Sequence, residues 1–245
     1  MDTRSLVGAA AVLLSVGVFS ARCGGDPPEG AAATAEPSTA LAAPAFQVDP
    51  AWPTIPNNWQ FGQVASVAVD AEDHVWVLQR PRTLNPEEQD RAAPPVLEFD
   101  QDGTFIQAWG GPGDGYDWPS SEHGVHVDPM GYVWIGGNGE TDNQILKFTK
   151  AGQFVMQIGQ AGQSQGNSDT ENLNRPADAF VHADTNELFV ADGYGNRRVI
   201  VFDADTGSFK RMWGAFGNVP TDGEPEPAMA DADEQGAPQF VQPVH

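Results

Sequence analysis

From about residue 64 onward the chain alternates apolar and polar residues in short runs separated by Gly, Asp and Asn. This is the period of two that marks half-buried β-strands. The alternation itself repeats. Asp70-Ala-Glu-Asp-His-Val75-Trp76-Val77 matches Asp128-Pro-Met-Gly-Tyr-Val133-Trp134-Ile135, and Asp184-Thr-Asn-Glu-Leu188-Phe189-Val190 matches both more loosely. Each is followed by a strand ending in Phe99, Phe148 or Phe202, then by a turn at Gly103, Gly152 or Gly207. A last strand closes on Trp109-Gly110, Ile158-Gly159 or Trp213-Gly214. The three Phe recur at spacings of 49 and 54 residues. Four short strands repeated at this period predict the antiparallel blades of a β-propeller, an all-β fold. The blades run from about Val64 to Gly110, Gly124 to Gly159 and Ala177 to Gly214, with the repeated Trp and Phe as core between them.

Asn218 to Gln239 then reads as a long inter-blade loop, and Phe240-Val-Gln-Pro-Val-His245 as the start of a fourth blade. Propellers close with four to eight blades. The expectation is therefore a partial propeller over 46–245, with two unsatisfied sheet faces, forming the front part of a longer ring.

The first residues follow a different pattern. Arg4 precedes an apolar run from Leu6 to Phe19, shorter than the roughly 20 residues that span a bilayer, as in a secretory signal over 1–22. Cys23 follows at the place of a lipoprotein-type anchor; ordinary cleavage and an incidental thiol is the other reading. Residues 23–45 are rich in Ala and Pro and read as a disordered tether. The expected location is outside the cytoplasm: periplasmic, membrane-anchored or extracellular.

Composition narrows the function. With 12 Lys plus Arg against 34 Asp plus Glu, the net charge of −22 repels phosphate backbones and excludes nucleic acid as a partner. The single Cys excludes an intramolecular disulfide framework. Six acids fall between Asp222 and Glu234, so the acidity reads as solvated surface.

Candidate chemistry comes from position in the repeat. His123 lies just ahead of the second blade's first strand, and His245 holds the corresponding place in the fourth. Ala177 and Val64 stand there in the third and first blades. Histidines on alternate blades around an axis suggest a His₃ metal site with an open position. Two polar rim residues aligned by chance is the competing reading.

Four segments carry a family resemblance: Phe61-Gly-Gln-Val64 through Arg80; Glu122-His123-Gly-Val125; Arg175-Pro176-Ala-Asp178 through Asp192-Gly-Tyr194-Gly-Asn196-Arg197-Arg198-Val199; and Gln239-Phe240-Val-Gln-Pro243-Val-His245. The chain resembles NHL-repeat propellers, a six-bladed family, and within them the peptidyl-α-hydroxyglycine α-amidating lyases. The resemblance implies cleavage of a C-terminal α-hydroxyglycine to a peptide amide and glyoxylate, with the peptide substrate in the central channel. It implies His123 and His245 as two of three zinc ligands, Tyr194 as general base and Arg80 as a catalytic or substrate-binding arginine. The main-chain carbonyls of Val67 and Val125 match ligands of a structural calcium. The third zinc histidine, an acidic calcium ligand and a second arginine would lie beyond His245. Asn174 and Gly195 stand where the animal enzymes pair cysteines.

Arg80 as a surface cation and Tyr194 as rim packing remain open. Glu122, His126 and Asp192 read as solvated or turn-capping, and His74 and His182 as inert turn residues. Arg197 and Arg198 read as structural bridges to buried carboxylates such as Asp192. The alternative function is a non-catalytic envelope propeller that binds a peptide, glycan or protein.

Overall fold

A computed structural model describes residues 45–223, 239–240 and 244–245. The signal segment, Cys23, the tether up to residue 44 and most of the acid-rich stretch lie outside the described residues. Of the two units into which the chain divides, the second, Val48–His245, carries all the described strands.

Among the described residues, twelve strands form three antiparallel sheets in simple sequence order. The first holds β1 (Gln63–Val69), β2 (Val75–Arg80), β3 (Val96–Phe99) and β4 (Phe105–Trp109). The second holds β5 (Glu122–Val127), β6 (Tyr132–Gly137), β7 (Gln144–Thr149) and β8 (Phe154–Gly159). The third holds β9 (Asp178–His182), β10 (Glu187–Asp192), β11 (Arg198–Asp203) and β12 (Phe209–Trp213). Edge strand β5 packs on both β1 and β9, so the first strands of the blades form one continuous inner wall.

The repeat is visible in register. Each outer pair carries a bulge just before the repeated Phe, giving Phe99↔Phe105, Phe148↔Phe154 and Phe202↔Phe209. Such a bulge sharpens the local twist that lets the outer strand lean away from the inner ones. Sheets one and two meet through Trp76, Leu78 and Val96 against Val125, Val133, Ile135 and Phe148. Sheets two and three meet through Trp134, Ile145 and Ile158 against Val181, Leu188, Val190 and Phe202.

The Asp-x₅-Trp frame is a clamp. Asp70 Oδ1 caps the amides of Glu72 and His74, and Oδ2 accepts the Trp76 indole N–H at 2.9 Å. Asp128 does the same for Met130, Tyr132 and Trp134, the last at 2.8 Å. The third blade lacks it. Register places His182 and Phe189 where the others have Asp and Trp, so Asp184 lies two residues beyond the position of the clamp carboxylate.

One expectation needs correction. The outer face of the first sheet is not bare: Trp59 and Phe61 pack on Val77, Leu97 and Phe99, and the Trp52 ring lies 6.1 Å from Phe99. The expected start of a fourth blade, 240–245, falls largely outside the described residues. Period-two reading also misses the 3₁₀ turns at Pro81–Thr83 and Pro86–Arg91, each opened by a proline whose fixed φ suits a first helical position.

Candidate functional site

The inner wall and the β10–β11 loop bring three of the sequence candidates together. His123, at the start of β5, points toward the third sheet, where Nδ1 lies 2.8 Å from the carbonyl oxygen of Ala177. Gly124 permits this approach, because a Cβ there would sit 2.5 Å from that same oxygen. A carbonyl only accepts, so Nδ1 carries the proton and the neutral ring turns its Nε2 lone pair outward. Tyr194 meets that lone pair, its hydroxyl donating to Nε2 at 2.8 Å. The His245 ring completes the group, with its centre 4.7 Å from Tyr194 and 5.9 Å from His123. Gly193 makes room for it, since a side chain there would collide with the Val244 backbone.

Burial pushes the His123 imidazole below the usual histidine range; the Ala177 bond opposes this, and the Arg80 and His245 charges add to it. The ring is thereby held neutral near neutral pH, the state in which Nε2 can accept a proton or bind a metal.

Arg80, the last residue of β2, reaches across to the second sheet. Its Nε donates to the Glu122 carbonyl at 2.7 Å, Nη2 to Asn138 Oδ1 at 3.4 Å and Nη1 to Gln63 Oε1 at 3.5 Å. It is half-buried, with its guanidinium fixed beside the site rather than spread on the surface. Val67 lies mid-way along β1 with an exposed side chain, and Val125 lies in β5 with a buried one. Ser66 Oγ ties the two strands by accepting the Val125 amide at 3.3 Å.

Other candidates fall elsewhere. Glu122 is not solvated: it is 5% exposed, Oε1 accepts the Trp118 indole at 2.9 Å, and Oε2 is buried without a partner. His126 is half-buried and accepts the Val181 amide at Nε2, 3.1 Å away, which stitches β5 to β9. Asp192 is wholly buried and paired with Arg198 at 2.8 Å, as the structural reading expects for Arg198. His182 bonds Thr185 in its turn. Asp70, His74 and Glu98 form the one three-residue grouping of metal-ligand types among the described residues. Its Asp70 oxygens are already filled by the clamp and by Lys150 at 2.9 Å, so it is an ion-paired turn.

Arg175 is the site residue that the sequence reading missed. Its guanidinium carbon stands 5.9 Å from the Tyr194 ring centre, and its Nε donates to the Asn138 carbonyl at 2.9 Å. An apolar cavity of about 210 Å³ opens beside His245, lined by Phe180, Phe189, Val199 and Val244 among others.

No family model matches the chain. It is 30% identical over 179 residues to NHL repeat-containing protein 3 of Mus musculus, covering 69% of this chain and 46% of that one. It is 29% identical over 188 residues to Peptidylglycine alpha-amidating monooxygenase of Rattus norvegicus, covering 66% of this chain and 18% of that one. The chain is an NHL-like β-propeller. The match spans less than half the length of either relative. Solved WD40 repeats of RRP9 superpose with a TM-score of 0.42 at 12% identity, over 62% of this chain and 38% of that chain. The NHL-like propeller thus carries its candidate site where the inner wall meets the loop that ends β10. Asn174 and Gly195 are hydrogen-bonded neighbours there, with Gly195 N donating to Asn174 O at 2.9 Å.

Proposed function

We propose that this propeller is a metal-assisted lyase for peptides or acyl groups ending in α-hydroxyglycine. The observation that carries the reading is the convergence of His123 Nε2, the Tyr194 hydroxyl and the His245 ring, with Arg80 alongside. The donor set suits a divalent cation: two imidazoles sharing one tetrahedral zinc at about 2.0–2.1 Å have ring centres on the order of 5 Å apart, close to the 5.9 Å seen here. His123 and His245 would hold the ion, which when bound polarises the substrate's hydroxyl. The Val67 and Val125 carbonyls would supply only two of the six to eight oxygens that calcium takes.

The His123 lone pair serves one partner at a time. Engaged by a cation, it releases the Tyr194 hydroxyl from the bond that now occupies it. Tyr194 Oη then accepts the proton of the substrate's α-hydroxyl as its own phenolic proton passes to the departing amide nitrogen; the O–H electron pair closes the glyoxylate carbonyl, the C–N bond breaks, and Tyr194 is left as the phenol it began as. Arg80 holds the substrate, and the apolar cavity beside His245 offers room for the peptidyl portion.

The test is turnover of an N-acyl-α-hydroxyglycine by the zinc-loaded chain, read as glyoxylate released. Tyr194→Phe is expected to lower kcat by about 10²–10⁴, and His123→Ala to lower bound zinc along with activity. Unchanged turnover in Tyr194→Phe would sink the reading.

A further inference from the structure

Four glutamines fall within the short run Gln157-Ile-Gly-Gln160-Ala-Gly-Gln163-Ser-Gln165. The run closes β8 and opens the segment that leads to β9. There it lines a cavity of about 300 Å³, whose wall is completed by Asn172 and Glu171. No lysine or arginine lines it. Its volume is at the small end of the range for small-molecule sites, which are mostly apolar, whereas this wall is made of amides.

The wall has a fixed part and a free part. Gln157 is spent: its Oε1 accepts the Asp117 amide at 2.7 Å, and its Nε2 donates to Asp117 Oδ2 at 2.9 Å and to Gly159 O at 2.8 Å. Asn172 Oδ1 accepts the Gln160 amide at 3.0 Å, while its Nδ2 donates to Asp169 Oδ2 at 3.1 Å. Asp169 also accepts the backbone amides of Gln165, Glu171 and Asn172, and Gly162 N donates to Thr141 O at 3.0 Å. The loop backbone is thus set from beneath, which lowers the ordering cost of binding. By contrast, the exposed side chains of Gln160, Gln163 and Gln165 make no hydrogen bond to any described residue. The residues between them, Ala161, Gly162 and Ser164, are too small to screen them.

We infer that this glutamine-lined groove binds a neutral saccharide. Each free amide offers a carbonyl acceptor and two N–H donors, and the hydroxyls of a sugar donate and accept in turn. A phosphate or carboxylate ligand would find no cation to pair with. A calcium ion would find a single lining carboxylate, Glu171, for the six to eight oxygens it takes. Register puts the groove on the rim that carries His123: Glu122 pairs with Gly137, Gly136 with Ile145, and Gln144 with Gly159. Three strand spacings, about 14 Å, separate the two ends of that rim. The groove shares no residue with the His123 group, so the inference stands independently of the lyase reading.

The experiment is a ligand-observed NMR titration of the full chain, in EDTA, with maltotriose, cellotriose, triacetylchitotriose and, as a peptide control, blocked trialanine. At least one trisaccharide is expected to bind with a Kd of about 1 mM or below, and more tightly than the peptide. Gln160→Ala, Gln163→Ala and Gln165→Ala should each weaken it about fivefold, the scale of one neutral hydrogen bond. These side chains hold nothing in place, so the melting temperature should not move. Gln153→Ala, exposed at the far end of β8, should leave binding unchanged. Retention on amylose, cellulose or chitin as well would identify the ligand as a polymer, and binding of the soluble trisaccharide alone as a free sugar. Binding by none of the three sugars, equal affinity for the peptide, or an affinity that survives all three groove variants overturns the inference. So does binding that appears only when calcium replaces EDTA.

Discussion

Asp70 shows how much a single carboxylate can organise. Burial pushes its carboxyl up, but the Trp76 indole, the Lys150 ammonium and the amides of His74 and Glu72 together hold it down at about 2, against an ordinary value of 3.8. A carboxyl lowered on folding contributes stability above its unfolded pKa and loses it as pH falls through the folded one. At about 1.4 kcal/mol per unit, Asp70 is expected to contribute on the order of 2 kcal/mol, lost between about pH 4 and pH 2. Acid unfolding followed by tryptophan fluorescence should therefore be less steep in Asp70→Asn over that window. The residue pattern exposes this clamp because Asp and Trp recur at one spacing. The same logic makes His123 and His245 legible, since each stands at a fixed place in a repeat, whereas Tyr194 stands out only through the family resemblance. Arg175 is not legible in this way. Its reach to Asn138 and Tyr194 depends on a left-handed backbone in a connecting segment, which no period encodes.

Among the elements, the segment that links β8 to β9 has no strand or helix of its own, and a buried arginine holds it. Arg198, at the start of β11, donates through Nη1 to Asn167 O at 2.9 Å and to Asp169 O, and through Nη2 to Asn172 O at 2.8 Å. Its Nε pairs with Asp192, which also accepts the Asn174 amide and the Asn196 side chain. Burial alone would push the Asp192 carboxyl up. Every partner it has is a donor, so the ionised form is the one this site favours. Arg198→Met would leave that charge and three carbonyls unpaired, and a loss of about 3–5 kcal/mol is expected in denaturant unfolding. Replacing Asp192 by Leu as well should recover part of it. Here the Asp-x₃-Asn-x-Arg spacing of Asp192, Asn196 and Arg198 marks the bridge in the sequence. The proline-opened 3₁₀ turns after β2 are silent because a period-two reading sees only strands, and six residues are too few to set a helical stripe.

On the scale of the molecule, the three sheets stack in sequence order, so among the described residues only the second is flanked on both faces by another sheet. Opening a segment costs most where its hydrogen bonds are covered on both sides. Hydrogen exchange is expected to be slowest in β6 and β7, which are almost wholly buried, and fastest in β12, whose first three residues are exposed. Equal protection in β7 and β12 would contradict a stack that is cooperative mainly through its middle. The repeat reveals the stacking but not what covers the first sheet. Trp52, Trp59 and Phe61 precede the repeat, and nothing in their spacing announces the surface they cover.

Gly124 joins these scales. Its missing side chain lets two neighbouring inner strands close until an imidazole on one can hold the main chain of the other. The distance between two blades and the choice of which ring nitrogen is bare are therefore a single variable. One added methyl group would force the blades apart and free the ring to turn over, disarming the centre without replacing any atom that meets a ligand.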